Sequence, residues 1–441
     1  MRVTDPAVLK LQELITIPTV SDPDPQRRDH APFVAFVDAF ERCFPRLVAT
    51  LERVELPEHA LLYRWAGSDD SRPIVLMAHL DVVPVDADAP WRYPAFGAEI
   101  HDGVIWGRGT LDDKGQLTAI AEAVEQLLEQ GVTPSQDVWL SFGSTEEVSG
   151  ETAGLAVDAL RQRGVEPWLV LDEGGAIASE AFPGIEPPLG VVGVTEKGIT
   201  SLELTVEGRG GHASTPSRMD ATARLARAIL RLDKAPFPAS LPEPTRELFR
   251  RIAPHAPAAL RPLMARAGRL SPVLGRALAL AGPEAAAMTR TTLAVTTLSG
   301  SPAINVVAST ARAGINLRIM VGDTVDSVVA RVRKIIADDQ VRIEVVDRSE
   351  PSPISPHDDD AFRLIEQAIT ATFPEAVPTP YVMMAATDSR FFTAICPRVY
   401  RFAPFRMSKA QRESIHSYDE HLGVDDFLDG IAFYRRLIES L

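Results

Sequence analysis

The 441-residue sequence predicts an α/β fold, in which a largely parallel sheet is interrupted by an inserted ferredoxin-like α+β module. Three observations support this prediction. Short apolar runs alternate with helical patterns near the N-terminus, as in parallel sheets that are covered on both faces. From about residue 195, strand patterns alternate between polar and apolar residues, which is typical of half-buried strands. After about residue 350, the α/β character returns.

The first part of the chain opens with a helix and continues with three buried strands. Apolar residues at helical spacing predict a helix over 6–17. The predicted strands are the apolar runs at 74–78, 138–142 and 168–171. A helical pattern over 117–128 separates the first two runs, and Gly131 is its expected C-cap.

The middle part has the element order β-α-β-β-α-β, which predicts a ferredoxin-like module. Its strands are predicted at 201–206, 291–297, 311–320 and 341–346, and its helices at 221–232 and 324–337. A segment rich in Pro, Ala and Arg, about 234–287, is expected to be a helical insertion. We therefore expect one domain formed by residues 1–194 and 350–441, and a second formed by residues 195–349. The first domain closes with a helix at 360–371, a strand at 398–401 and a helix at 425–438.

Composition excludes some classes of protein. The formal net charge of −15, with 60 acidic against 45 basic residues, argues against nucleic acid as a partner. No apolar run approaches the ~20 residues that span a bilayer, so no membrane partner is expected. Charge and proline in the first 20 residues do not match a signal peptide. The two cysteines, Cys43 and Cys396, are expected to be reduced thiols, which together with these features predicts a cytoplasmic protein.

Four polar motifs follow predicted strands or open a predicted helix. They are HLD at 79–81, GRGTLDDKG at 107–115, TEEVSG at 145–150 and DEGG at 172–175. Ligands of open α/β sheets bind beyond the carboxyl ends of the strands, so these motifs are expected to converge on one crevice. Histidine nitrogen and carboxylate oxygen are ligands that zinc accepts, and two-metal hydrolytic sites hold their ions ~3.5–4 Å apart.

The spacing within two motifs suits this chemistry. In His79-Leu80-Asp81, residues i and i+2 of a strand face the same side, so the Asp81 carboxylate is expected to orient the His79 ring. In the pair Glu146-Glu147, one carboxylate can bind metal while its neighbour removes a proton from the attacking water.

These motifs resemble the co-catalytic zinc family of aminoacylase-1, succinyl-diaminopimelate desuccinylase, glutamate carboxypeptidase and carboxypeptidase S. The resemblance continues, in the family's order, through GRGGHASTP at 208–216, AINVVAS at 303–309, ATDSRFF at 386–392 and Ile415-His416. Ala386 stands where the family usually has glycine. VLDEGG and VYRFAP look most similar to the carboxypeptidase S and N-acyl-amino-acid hydrolase branch.

The resemblance implies two Zn²⁺ per subunit, with Co²⁺ or Mn²⁺ as alternatives. The implied metal ligands are His79, Asp112, Glu147, Asp172, Glu173 and His416, of which Asp112 bridges both ions. Asp172 is preferred as the ligand of the fourth motif, and Glu173 is a near-equal alternative. His416 is preferred over His421 because of its Ile-His placement. The family also has a cis peptide at the position matching Asp112-Asp113.

The resemblance also implies catalytic and substrate-binding roles. Glu146 would be the general base, and Asp81 would orient His79. His212 would enter the site from a partner subunit and stabilise the oxyanion. Asn305, Arg318 and Arg390 would help to hold the substrate carboxylate or the oxyanion.

The implied protein is a metallopeptidase or amidohydrolase, with a di-zinc catalytic domain and a ferredoxin-like lid that forms a homodimer. It would cleave an amide or peptide bond next to a free carboxylate, in an N-acyl amino acid or at a peptide C-terminus. Alternatives on the same scaffold are a dipeptidase and an N-carbamoyl-amino-acid hydrolase. A non-catalytic binding protein is disfavoured by the complete set of His79, Asp112, Glu146, Glu147 and His416.

Overall fold

The computed structural model describes residues 2–86, 88–148, 150–182 and 184–441, so Ser149 of the 145–150 motif lies outside the described residues. Helix α1 (Pro6–Ile15) confirms the predicted N-terminal helix. It begins where the Asp5 side chain accepts a hydrogen bond from the backbone N–H of Ala7, with Pro6 at the first helical position.

The described part of the chain before residue 197 contains nine strands and four further helices. The strands are β1 (Glu52–Glu55), β2 (Leu61–Trp65), β3 (Asp69–His79), β4 (Glu99–His101), β5 (Val104–Trp106), β6 (Gln136–Gly143), β7 (Leu169–Asp172), β8 (Ala176–Ala178) and β9 (Leu189–Glu196). The helices are α2 (His30–Cys43), α3 (Pro45–Thr50), α4 (Lys114–Glu129) and α5 (Glu151–Gln162). All three predicted strands and the helix between the first two are confirmed.

The run IVLMA lies in β3 and is buried on both faces of the sheet. Ile74 and Leu76 pack into the larger core, beneath α1 and α4. Val75 and Met77 pack into a second core on the opposite face, beside α5. This alternation explains why the strand is apolar at every position rather than at every second one.

The middle part forms a four-stranded antiparallel sheet. Its principal elements are β10 (Gly198–Glu207), α6 (Ala221–Asp233), β12 (Thr292–Ser299), β14 (Thr310–Ile319), α11 (Val325–Ile336) and β15 (Val341–Val345). The strand order is β12-β14-β10-β15, and α6 and α11 share one hydrophobic core with the sheet. The predicted ferredoxin-like module is confirmed. Between its elements, β11 (Gly211–His212) pairs with β13 (Val306–Val307) as a separate ribbon.

The segment 234–287 is helical, as predicted. It contains α7 (Glu243–Ile252), α8 (Arg261–Met264), α9 (Ala267–Ala281) and α10 (Pro283–Ala287). Leu248 and Phe249 of α7 pack in one core with Leu189 of β9, and not with the core of the ferredoxin-like module. The segment therefore packs on the large sheet, although it is inserted between β10 and β12.

The last part of the chain completes the large sheet. Its elements are α12 (Asp360–Thr372), β16 (Val377–Met383), α13 (Ser389–Phe392), β17 (Val399–Arg401), β18 (Arg406–Met407), α14 (Lys409–Ser414), β19 (His421–Gly423) and α15 (Val424–Glu439). The sheet order is β1-β2-β6-β3-β7-β17-β9-β8-β18, and β16 pairs with β9 in parallel. Within it, β6, β3, β7 and β17 are parallel neighbours.

None of the helices in the described ranges has the length and apolarity needed to cross a membrane. Both cysteines are buried free thiols, as expected.

Candidate metal centre

Three neighbouring parallel strands deliver their motifs to one edge of the large sheet. β3 ends at His79, β6 at Gly143 and β7 at Asp172. Their parallel pairing places these carboxyl ends side by side, and the loop before α4 brings Asp112 to the same edge. The predicted convergence of the four motifs follows from this topology.

The first group of potential metal ligands is formed by His79, Asp112 and Glu173. Nε2 of His79 lies 2.8 Å from Oδ1 of Asp112 and 3.6 Å from Oε1 of Glu173. One ligand atom of each residue lies within 4.8 Å of the others, a spacing that a single ion can bridge.

The second group is formed by Asp112, Glu147 and His416. Nε2 of His416 lies 2.9 Å from Oδ2 of Asp112 and 3.1 Å from Oε2 of Glu147. Asp112 thus belongs to both groups and turns one carboxylate oxygen toward each histidine. The peptide bond between Asp112 and Asp113 is cis.

Electrostatics indicate that the centre suits cations. Burial and the charge of Asp112 raise the pKa of Glu173 to about 8. Burial also raises the pKa of Glu147, although its hydrogen bond with His416 opposes the shift. Hydrogen bonds to Asp112 and Glu147 raise the pKa of His416 to about 10. Buried Oε1 of Glu147 has no hydrogen-bond partner in the described structure. Closely spaced carboxylates and a buried carboxylate oxygen without a hydrogen-bond partner fit a metal ion that accepts N and O ligands.

Asp81 lies close to the His79 ring through its backbone carbonyl as well as its carboxylate. Nδ1 of His79 lies 2.9 Å from the backbone carbonyl oxygen of Asp81, and 3.5 Å from its Oδ1. The Asp81 carboxylate accepts hydrogen bonds from the backbone N–H groups of Glu146 and Glu147, at 3.2 and 3.1 Å. Asp81 therefore links the His79 ring to the loop that carries both glutamates.

Asp172 and Glu173 point to different surroundings. Oδ2 of Asp172 accepts a hydrogen bond of 2.8 Å from the backbone N–H of Ser389, and Asp172 belongs to neither ligand group. Glu173 faces His79. The geometry thus favours Glu173, the alternative of the sequence prediction, as the ligand.

Glu146 faces the same cluster. Burial and the negative charges of Glu173 and Asp388 raise its pKa well above the usual value, while the charge of His79 opposes the shift. Its position beside both ligand groups suits a carboxylate that exchanges a proton with an attacking water.

His421 is not part of either ligand group. Its ring stacks on Trp106, with a centroid distance of 4.4 Å, and its Nδ1 lies 2.7 Å from the carbonyl oxygen of Asp419. This position agrees with the preference for His416.

A buried glutamate that the sequence analysis missed holds the loop of Asp112. The Glu420 carboxylate accepts hydrogen bonds from the backbone N–H groups of Gly109, Leu111 and Asp112, at 3.1, 2.8 and 3.1 Å. It also accepts one of 2.6 Å from Nη1 of Arg108, whose Nη2 donates to the carbonyl of Ser417. The available signal was an arginine inside the 107–115 motif and an acid four residues after His416.

The loop at 386–392 is held by a second buried network that was missed. Arg401 forms a buried ion pair of 2.7 Å with Glu196, which also accepts a hydrogen bond of 2.6 Å from the Thr387 hydroxyl. Arg390 donates to the carbonyl of Thr387, and its guanidinium lies close to Gly150, at the end of the 145–150 motif. Arg390 thus lies beside the end of the motif that carries Glu146 and Glu147.

The other predicted substrate residues lie in the ferredoxin-like module. His212 and Asn305 are exposed, and the backbone N–H of Ala213 donates to the Asn305 carbonyl, so the two motifs meet at the β11–β13 ribbon. Arg318 lies on β14, where burial lowers its pKa. Within the described ranges, no hydrogen bond or ion pair joins these three side chains to the metal centre of the same chain.

Two joined His-carboxylate groups at the edge of an α/β sheet are an arrangement that metal-dependent hydrolases use. Comparison with known families matches residues 75–440 to peptidase family M20/M25/M40. The chain belongs to this family, and it is a metal-dependent enzyme that hydrolyses amide or peptide bonds.

Relatives with 32 to 34% identity cover most of the chain. A probable carboxypeptidase S-like protein of Dictyostelium discoideum is 34% identical over 92% of this chain and 79% of its own length. A human N-fatty-acyl-amino acid synthase/hydrolase is 32% identical over 98% of this chain and 86% of its own length. An M20 metallo-carboxypeptidase structure from Sulfolobus solfataricus shares the fold, with a TM-score of 0.73, 16% identity and coverage of 99% of both chains.

Proposed function

We propose that this enzyme hydrolyses N-acyl amino acids, cleaving the amide bond next to a free carboxylate, with two Zn²⁺ ions per subunit. The observation that carries the proposal is Asp112, whose two oxygens face two separate histidine-carboxylate groups. The relatives named as N-fatty-acyl-amino acid hydrolases support the acyl-amino-acid class, and a long apolar acyl group in particular.

The proposed ligands are His79 and Glu173 for one ion and His416 and Glu147 for the other, with Asp112 between them. Bound ions would polarise the scissile carbonyl and lower the pKa of the attacking water. Co²⁺ or Mn²⁺ would suit the same donors.

Glu146 takes the proton of the attacking water and delivers it to the leaving amine. Asp81 positions this base, because its carboxylate holds the backbone of Glu146 while its carbonyl orients His79. Arg390, beside the loop of Glu146, would bind the substrate carboxylate through two parallel hydrogen bonds.

We further propose that residues 1–194 and 350–441 form the catalytic domain, and that residues 195–349 form a lid through which two subunits dimerise. His212 of the partner subunit would then stabilise the oxyanion, with Asn305 and Arg318 assisting. The exposed position of His212, which has no hydrogen bond or ion pair to the metal centre in the described ranges, supports this role. The two free thiols support a cytoplasmic location.

A comparison of matched substrates tests the proposed function. Zinc-loaded enzyme is assayed on N-acyl amino acids of increasing chain length, on their methyl esters and on dipeptides. We expect hydrolysis of the free acids that a chelator abolishes, and at least about tenfold slower amide cleavage for the esters, since a charge-assisted hydrogen bond is lost. Equal rates for acids and esters, or no hydrolysis of any acyl amino acid, would overturn the proposal.

A further inference from the structure

The helical segment at 234–287 has a charge opposite to that of the whole chain. It contains eight arginine and lysine residues against three glutamates, whereas the chain has a net charge of −15. The proposed hydrolysis assigns no role to this segment. Its composition therefore calls for a separate explanation.

Cations and aliphatic side chains form one exposed stripe along α9. Its members are Arg266, Arg269, Val273, Arg276 and Leu280. Their spacing alternates between three and four residues, which places them on one face of a helix. Val273 is 62% exposed and Leu280 is 88% exposed, which are high values for aliphatic residues of a helix packed on a folded core.

The arginines of the stripe have no partners in the rest of the described chain. Arg266, Arg269 and Arg276 form no ion pair or side-chain hydrogen bond with any described residue. By contrast, Arg250 and Arg251 of α7 both pair with Glu247. Among the described residues, the stripe therefore presents positive charge without a charged partner, together with exposed apolar surface.

The opposite face of α9 is used by the protein itself. Ala267 and Leu274 are buried in the core that joins this segment to β9 and β16, and Leu270 and Leu278 pack against that core. A partner cannot surround a helix that is held in this way. The stripe is accessible only to a surface laid against it.

We propose that the stripe on α9 docks the enzyme on an anionic lipid surface. Valine and leucine side chains would enter the boundary between headgroups and acyl chains. Arginine side chains can lay their apolar stems along such a boundary while their guanidinium groups bind phosphate or carboxylate groups.

Flotation with lipid vesicles tests the proposal on the full chain. Vesicles of phosphatidylcholine are compared with vesicles that also contain phosphatidylserine, at low and high salt. The enzyme is expected to float with the anionic vesicles, and high salt should weaken binding. Each arginine near an anionic surface contributes about fivefold to binding, so Arg269→Gln/Arg276→Gln should bind about 25-fold more weakly. Val273→Ser/Leu280→Ser should also lose binding.

Matched control variants distinguish a role of the stripe from the effect of removing charge or apolar surface anywhere on the protein. Arg333→Gln/Arg342→Gln removes the same charge from exposed positions on α11 and β15, and Leu9→Ser/Val34→Ser removes the same aliphatic types from α1 and α2. Both controls should float like the unaltered enzyme. Stripe variants should keep their thermal unfolding temperature and their hydrolysis of a water-soluble acyl amino acid.

Two outcomes would overturn the proposal. The first is equal flotation of the stripe variants and the unaltered enzyme, or no flotation of the unaltered enzyme with anionic vesicles. The second is a change of oligomeric state in the stripe variants without a change in flotation, which would assign the stripe to contact between copies. Neither outcome bears on the hydrolytic activity, which is measured separately.

Discussion

The two halves of the candidate metal centre share Asp112 but rest on different kinds of backbone. His79 ends a strand that pairs with β6 and β7, and its side chain is 1% exposed. His416 lies in the loop after α14, with a φ of +61°, and its side chain is 54% exposed. The sheet fixes the backbone of His79 in the first half, whereas His416 in the second half lies in a loop that depends on side-chain contacts.

Glu420 and Arg108 supply these contacts. Glu420 binds three backbone N–H groups of the Asp112 loop, and Arg108 reaches back to the carbonyl of Ser417, next to His416. The buried pair therefore ties the exposed histidine to the shared carboxylate. We expect the half of His79 and Glu173 to hold its ion more tightly than the half of His416 and Glu147.

The largest expected effect is a loss of turnover in a variant that keeps both metal-ligand groups intact. Glu146→Gln should lower kcat about 10²- to 10⁴-fold, because the proton acceptor is removed. Metal content should stay at the level of the unaltered enzyme. Glu413→Gln, on the exposed side of α14, is the matched control and should retain full activity. Full activity in Glu146→Gln would refute the assignment of the base.

A second experiment removes the histidine of each metal-ligand group in turn. His79→Ala should destabilise the metal-free protein by about 3–5 kcal/mol, because it leaves buried carboxylates without their cation. His416→Ala should destabilise it by less, since the His416 side chain is 54% exposed and solvent screens its pairs with Asp112 and Glu147. Denaturant unfolding and metal analysis measure both effects. Equal destabilisation by the two variants would remove the distinction between the halves.

Glu420→Gln sharpens the comparison, because it keeps the shape of the side chain and removes its charge. Metal affinity should fall about 10- to 100-fold, as is typical for residues that hold ligands in place. The loss should be larger for the more weakly bound ion. Competition with a chelating dye measures both affinities. Glu375→Gln, which breaks the exposed pair with Arg406, should have no effect on either.

A smaller effect is the pH dependence of metal binding. With its pKa at about 8, Glu173 of the metal-free protein carries a proton at pH 7. An ion must displace this proton and that of His416, whose pKa is about 10. Affinity should therefore rise with pH up to about pH 10, by up to about tenfold per unit for each displaced proton. Calorimetry in buffers with different ionisation enthalpies should show proton release. Binding heats that are independent of the buffer would contradict this expectation.

The meeting of the motifs at one site could be predicted from the sequence, because a parallel sheet places the carboxyl ends of its strands at one edge. This rule brings His79, Glu147 and Glu173 to one edge from separate motifs, and the loop before α4 adds Asp112. Glu420 could not be predicted in the same way, because its partners are backbone amides about 310 positions earlier in the chain. Such contacts leave no periodic pattern in the sequence.

It was also difficult to predict from the sequence which of two adjacent residues at a strand end faces the metal centre. Asp172 and Glu173 differ in the direction of their side chains, which depends on where β7 ends. The sequence predicted that the Asp81 carboxylate orients the His79 ring, but not that the Asp81 carbonyl oxygen lies nearer to the ring nitrogen, at 2.9 Å against 3.5 Å for Oδ1. The stripe on α9 was hidden by Pro272 and by the many alanines of the segment, which weaken the helical pattern.

Titration of the metal-free enzyme with zinc tests most directly whether two unlike halves share Asp112. The account predicts two ions per chain, bound in two separable steps, and the loss of both steps in Asp112→Asn. A single ion per chain, two ions of equal affinity, or two ions retained in Asp112→Asn would contradict it.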